Sequence, residues 1–252
     1  MPQLAVITDV GNVFGANIVG TNLEPVFQFS GAKIGFNPQD RFMVAMGNTL
    51  AVITQDGNVF GATVIPNTTE LGPVFQFSGA KIGFNPQDRF MVTMLSTYLA
   101  VITQAGDVFA AEVVLGQNSI GPVFQLGGAK IGFNPQDRFM VTIGNTLAVI
   151  TQSGDVFGAP ILGQFSGLFF QPQNLGPVFQ FSGAKIGFNP QDRFMVTIGG
   201  NTLAVITQAG DVFGAVVNGQ NISPVFQFSG AKIGFNPQDR FMVASQLLET
   251  VT

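Results

Sequence analysis

The chain contains no cysteine, no histidine and no tryptophan, and a single tyrosine, Tyr98. Without cysteine there are no disulfides, no Cys-ligated zinc, no iron–sulfur cluster and no Cys nucleophile. Without histidine, Ser-His-Asp and Cys-His catalysis, His-based metal sites and haem held by a proximal His are excluded as well. Charge is scarce: 10% of the 252 residues are charged, and ten basic against fourteen acidic side chains give a net charge of −4. That balance carries no electrostatic footprint for nucleic acid. The N-terminus, Met1-Pro2-Gln3-Leu4-Ala5-Val6, lacks the basic and apolar regions of a signal peptide. The cytosol is therefore the default compartment, although a mature secreted chain with an added Met would look the same. The longest uncharged stretch, between Asp155 and Lys185, is broken by Gly, Gln and Pro and does not read as a spanning helix. Two sequons, Asn67-Thr68-Thr69 and Asn221-Ile222-Ser223, read as chance matches in a chain without a signal peptide.

What is present is repetition. The string GAKIGFNPQDRFMV occurs five times, at Gly31, Gly79, Gly128, Gly183 and Gly230, spaced by 48, 49, 55 and 47 residues. LAVIT also occurs five times, at Leu4, Leu50, Leu99, Leu147 and Leu203, each followed by a turn and a Val-Phe pair. A Pro-Val-Phe-Gln element precedes each long string. All ten Lys and Arg residues lie inside that string, one of each per repeat.

One unit reads as four strands. Arg41–Met46 is an apolar run of strand length, and Gly47-Asn48-Thr49 is a turn. Leu50–Gln55 is a second strand rich in β-branched residues, Asp56-Gly57 is a hairpin signal, and Asn58–Val64 is a third strand. After a variable linker, Pro73–Ile82 reads as a fourth strand bent at its Ser-Gly. Asn85-Pro86-Gln87-Asp88 closes the unit as a type I turn. No helix is expected, because Gly and Pro recur too often. Four antiparallel strands in about 48 residues match a β-propeller blade. Strands buried on both faces between neighbouring blades would explain a mean hydropathy of +0.38 without a membrane. The chain starts at a second strand (Leu4–Thr8) and ends after a first strand (Arg240–Ala244), so one blade would be stitched from both termini. The expectation is an all-β, single-domain, five-bladed propeller over residues 1–252, made of four-stranded antiparallel blades.

In period, strand order, circular permutation and its Ala-Lys-Ile-Gly and Gly-x-Val-Phe runs, the chain resembles the tachylectin-2-type five-bladed propeller lectins. It lacks that family's Gly-Gly-Trp and Asp-Asn-Trp segments. The resemblance implies the fold and, more weakly, binding of N-acetyl sugars. No binding residue of the family has a matching position here.

The Asn-Pro-Gln-Asp loop and the Thr-Gln-x-Gly-Asp/Asn loop should share one face. The Gly-Asn-Thr turn and the variable linker should share the other. The first face carries five near-identical polar sets, which are the candidate ligand-binding residues. They are Asn37, Gln39, Asp40 and Arg41; Asn85, Gln87, Asp88 and Arg89; Asn134, Gln136, Asp137 and Arg138; Asn189, Gln191, Asp192 and Arg193; and Asn236, Gln238, Asp239 and Arg240. Such side chains supply the donors and acceptors of a sugar pocket, and five copies would allow multivalent capture. The competing reading is structural: Asp40 binds backbone N–H groups of its turn, and Arg41 and Lys33 pair with aspartates of the same or adjacent blade. The long linker around Gln164–Phe170 would be an apolar contact point or would fold back over a blade edge. The carboxylates outside the repeats, Glu24, Glu70, Glu112 and Glu249, are scattered, so no unlike carboxylate pair suggests a glycosidase. No enzyme, cofactor or metal is expected. The functional expectation is a carbohydrate-binding lectin with up to five equivalent sites, taking glycans or glycoproteins, monomeric or weakly associated. The alternative is a structural or protein-interaction propeller, natural or engineered on a consensus, with no small-molecule site.

Overall fold

The computed structural model describes residues 2–66, 68–166 and 169–246. Asn67 of the first sequon, Gly167 and Leu168 of the long linker, and Glu249 lie outside the described residues. In the second blade, Asp40–Met46 pairs antiparallel with Thr49–Thr54, then Val59–Thr63, then Phe75–Gln76. The third blade repeats this order with Asp88–Met94, Tyr98–Thr103, Val108–Val114 and Phe124–Gln125. The fourth uses Asp137–Ile143, Thr146–Thr151, Val156–Ser166 and Phe179–Gln180. The fifth uses Asp192–Ile198, Thr202–Thr207, Val212–Asn218 and Phe226–Gln227. The first blade joins the chain ends: Asp239–Gln246 is its innermost strand, followed by Pro2–Thr8, Val13–Val19 and Phe27–Gln28. Each innermost strand touches the next, and the last returns to the first. The chain is a five-bladed β-propeller. Closing the ring through the terminal strands leaves no blade face unpartnered.

The core explains why the strands read as nearly continuous apolar runs. It consists of five clusters, each sandwiched between two neighbouring blades. Successive side chains of a strand point to opposite faces. Leu50 and Val52 therefore enter the cluster against the first blade, while Ala51 and Ile53 enter the cluster against the third. Full burial contributes roughly 1.5–3 kcal/mol for each Leu, Ile or Val. A polar residue on either face of these strands would have no solvent to reach.

The outer part of each blade differs from the sequence expectation. Residues 73–82 do not form one bent strand. Phe75–Gln76 pairs with its own blade, and Ser78–Gly79 then crosses to the next blade and pairs parallel with Ser119–Ile120. The same handover joins Ser30–Gly31 to Glu70–Leu71, Gly127–Gly128 to Asn174–Leu175, Ser182–Gly183 to Asn221–Ile222, and Ser229–Gly230 to Asn22–Leu23. Glycine is required at the crossing. Gly79 has φ +98°, and a Cβ there would lie 2.2 Å from the Ile120 carbonyl oxygen. The long fourth linker packs Phe170 against the core shared with the third blade. It extends the third strand into a projecting hairpin, Val156–Ser166 against Phe169–Leu175, with Phe165 75% exposed.

Candidate functional site

The polar sets sit where the sequence places them, but most of their bonding capacity is used inside the ring. In the Asn37-Pro38-Gln39-Asp40 turn, the Asp40 N–H donates to the Asn37 carbonyl at 2.9 Å. Asp40 Oδ2 accepts from the Asn37 N–H at 2.9 Å, and Asn37 Oδ1 accepts from the Gln39 N–H at 3.1 Å. The four other turns repeat these side-chain bonds. A register shift then follows each aspartate: Asp40 faces Thr54, whereas Phe42 already faces Ile53. Such a bulge re-aims the side chain at the extra residue. Here the residue is Arg41, whose guanidinium reaches the next blade.

Arg41 Nη1 donates to the carbonyls of Gly83 at 3.1 Å and Asn85 at 2.7 Å, and Nη2 donates to the Asp88 carbonyl. Arg89, Arg138, Arg193 and Arg240 clamp the following blade in the same way. Arg240 closes the ring onto Gly35, Asn37 and Asp40. Each guanidinium also lies 4.7 to 4.8 Å from the ring centroid of its own Phe, from Phe42 to Phe241. The aspartates are 7% exposed. Burial raises the pKa of Asp40, Asp88, Asp137, Asp192 and Asp239, and the turn N–H and the preceding blade's Arg offset part of that rise. Of the twenty candidate residues, the five glutamines alone, Gln39, Gln87, Gln136, Gln191 and Gln238, present exposed side chains with no partner among the described residues.

The lysines take a different partner from the one expected. Lys130, Lys185 and Lys232 pair with Asp107, Asp155 and Asp211 of the Thr-Gln-x-Gly-Asp loop, at 3.0, 3.0 and 2.9 Å. The turn aspartates are sealed beneath the Arg clamps. The loop carboxylates face solvent, so a flexible ammonium reaches them at little desolvation cost. In the first two blades, Asn12 and Asn58 occupy the position of the loop aspartate.

These pairs mark a site that sequence reasoning missed. In the fourth blade a cleft of about 350 Å³ is lined by Asp155, Gln180, Ser182 and Lys185. Asp155 Oδ1 accepts from Lys185 Nζ and, at 3.4 Å, from Gln180 Nε2. Asp155 Oδ2 accepts from the Ser153 hydroxyl at 2.6 Å. The Ser153 hydroxyl, and then Lys185, hold the Asp155 carboxyl below its ordinary pKa. Gly154 of the same loop lies flat against Phe188 and the Lys185 stem; a Cβ there would come within 2.9 Å of the ring. Phe188 and its counterparts Phe36, Phe84, Phe133 and Phe235 are 54 to 57% exposed. The Gln–Asp bond recurs at Gln125–Asp107 and Gln227–Asp211. In the fourth blade a carboxylate, an amide and an ammonium line the cleft, with the open Phe188 ring against its Gly154 wall, a set that can bind neutral polar ligands with apolar faces.

The central channel is different in character. At the face of the Gly-Asn-Thr turns it opens into a cavity of about 320 Å³ whose wall includes Thr93, Thr142 and Thr197, with Ala45 and Ala244 in the other two blades. Among the described residues, no charged side chain lines it. Among the described residues, no group of three or more carboxylates stands together as a metal site. No helix of the described residues is long and apolar enough to cross a membrane.

No protein-family model and no curated protein matches the chain. Among solved structures, human WBSCR16 is similar over 98% of this chain and 70% of its own length, at 14% identity and a TM-score of 0.42. Apo AztD from Citrobacter koseri is similar over 93% and 60%, at 12% identity and a TM-score of 0.40.

Proposed function

We propose that this propeller is a multivalent carbohydrate-binding protein whose sites are the clefts between the Thr-Gln-x-Gly-Asp/Asn loop and the Gln-Phe-Ser-Gly-Ala-Lys segment. The observation that carries the reading is the convergence of Asp155, Gln180 and Lys185 beside the exposed Phe188 ring, in a cleft of about 350 Å³. Sugars present hydroxyl groups around apolar C–H faces. A fixed carboxylate and amide match the hydroxyls, and a phenylalanine face matches the C–H side. Each shallow cleft is a weak binder by itself; several on one rigid ring give avidity. Glycans or glycoproteins are the partners of this reading, and the likeness to tachylectin-2-type lectins belongs to the same proposal. A second reading, an interaction scaffold with no small-molecule site, draws on the Asp–Arg ring, whose polar groups are spent on neighbouring blades.

Printed-glycan binding by the full chain tests the proposal. A positive signal should be lost when Lys33, Lys81, Lys130, Lys185 and Lys232 are all changed to Met, with thermal stability retained. A blank array for the unaltered chain would favour the scaffold.

A further inference from the structure

One cross-strand pair, where the second and third strands meet beneath the variable linker, differs in every blade. That pair is Gln3 and Asn17 in the first blade, Thr49 and Thr63 in the second, Thr146 and Pro160 in the fourth, and Thr202 and Val216 in the fifth. In the third blade it is Tyr98 and Glu112. There a cavity of about 330 Å³ opens against the fourth blade's hairpin, lined by Tyr98, Glu112, Pro122, Phe124 and Pro172. The Tyr98 and Phe124 rings stand edge to face, centroids 6.2 Å apart at 90°. The Tyr98 hydroxyl donates to the Phe170 carbonyl of the hairpin at 3.2 Å, which fixes the ring in the wall.

The cavity has a sign. Glu112 is exposed, and no ion pair engages it among the described residues. All ten Lys and Arg side chains of the chain belong to the repeated string. After burial, the charge of Glu112 is what raises the Tyr98 pKa, so its field reaches the ring. A field that opposes a phenolate favours a cation. Two aromatic rings and two prolines supply apolar wall, beside Glu112 and the amide side chains of Gln171 and Gln173. An alkylated ammonium carries its charge under apolar methyl groups, which suit the rings and prolines, while Glu112 supplies the counter-charge. Aromatic faces beside a carboxylate are the chemistry that recognises such groups.

We infer that the notch formed by Tyr98, Phe124, Pro122, Pro172 and Glu112 is a binding site for an alkylated ammonium group, one per chain and independent of the glycan clefts. It lies on the linker face and exists in the third blade, where both the aromatic and the acid are present.

The composition supplies the assay. Tyr98 is the lone tyrosine and there is no tryptophan, so intrinsic tyrosine emission reports this cavity. Choline should change the emission saturably. The neutral tert-butyl analogue of choline should not. Glu112→Gln, an exposed substitution expected to leave the thermal transition unchanged, should weaken choline by about tenfold. Tyr98→Thr, which restores the residue of the second, fourth and fifth blades, should abolish the heat of choline binding in calorimetry. The proposal is overturned if choline gives no saturable change, if the neutral analogue binds equally, or if Glu112→Gln leaves choline affinity intact. Tighter binding of butylammonium than of choline would assign the notch to lysine-like amines and overturn the alkylated class.

Discussion

Replacing Arg89 by Met keeps the apolar stem and removes the guanidinium that ties the third blade to the fourth. Three bonds disappear, to the carbonyls of Gly132 at 3.0 Å, Asn134 at 2.7 Å and Asp137 at 2.5 Å. The contact with the Phe90 ring, 4.7 Å from the guanidinium carbon, is lost with them. Hydrogen bonds to a charged donor contribute about 1.5–3 kcal/mol each. The Arg89 side chain is 24% exposed, so water recovers part of this. Counting two of the three bonds at the low end gives about 3 kcal/mol. For a chain of this size that corresponds to a fall in Tm of about 6–12 °C. Arg89→Lys should recover less than half, because one ammonium cannot span three carbonyls as a planar fork does. Scanning calorimetry at one fixed rate, with Gln87→Ala as an exposed control in the same turn, measures the effect. A fall of less than about 2 °C for Arg89→Met, or an equal fall for Gln87→Ala, would refute the view that the arginines hold the ring together.

Gly79→Ala should cost about 3 kcal/mol, since φ is +98° and the new Cβ would strike the Ile120 carbonyl; urea unfolding would show it as a lower midpoint. The ring aspartates give a pH signature. Each is raised above 3.8 in the fold, so its contribution is fully present below that value and is lost as pH rises through the folded pKa. The stability of the unaltered chain relative to Asp88→Asn should therefore increase on acidification from neutral pH towards 3.8, and a difference that shrinks would contradict it. Asp155 runs the other way: its contribution is present above 3.8 and is lost as pH falls through its lowered pKa. Ser153→Ala should reduce that loss in the same titration.

The ring was legible because repetition makes the pattern redundant. Five copies of LAVIT with apolar residues at both parities imply strands buried on both faces, and the complementary ends at Leu4 and Arg240 imply closure. The type I turn was legible from Asn and Pro in adjacent positions. The crossing at Ser78-Gly79 was not, since its partner is the Ser119–Ile120 segment of another blade. A signal was available: an apolar residue, Leu23, Leu71, Ile120, Leu175 or Ile222, stands two positions before every Pro-Val-Phe-Gln and is buried in each case. The candidate site was only half legible. Residue type identified Asp40 and Arg41 as polar and repeated, but the bulge that turns Arg41 onto the next blade has no sequence mark. The cleft at Asp155, Gln180 and Lys185 draws on segments 25 to 30 residues apart and becomes visible only when the third strand meets the Phe-Gln pair.

Titration calorimetry with the sugar that best elutes the chain from an array tests the glycan reading most directly. The unaltered chain should bind more than one sugar per molecule. A chain carrying Asp107→Ala, Asp155→Ala and Asp211→Ala should lose the sites of the third, fourth and fifth blades and keep at most those built on Asn12 and Asn58. Full stoichiometry in that triple variant, or no heat of binding in the unaltered chain, would contradict the assignment of sugar binding to these clefts.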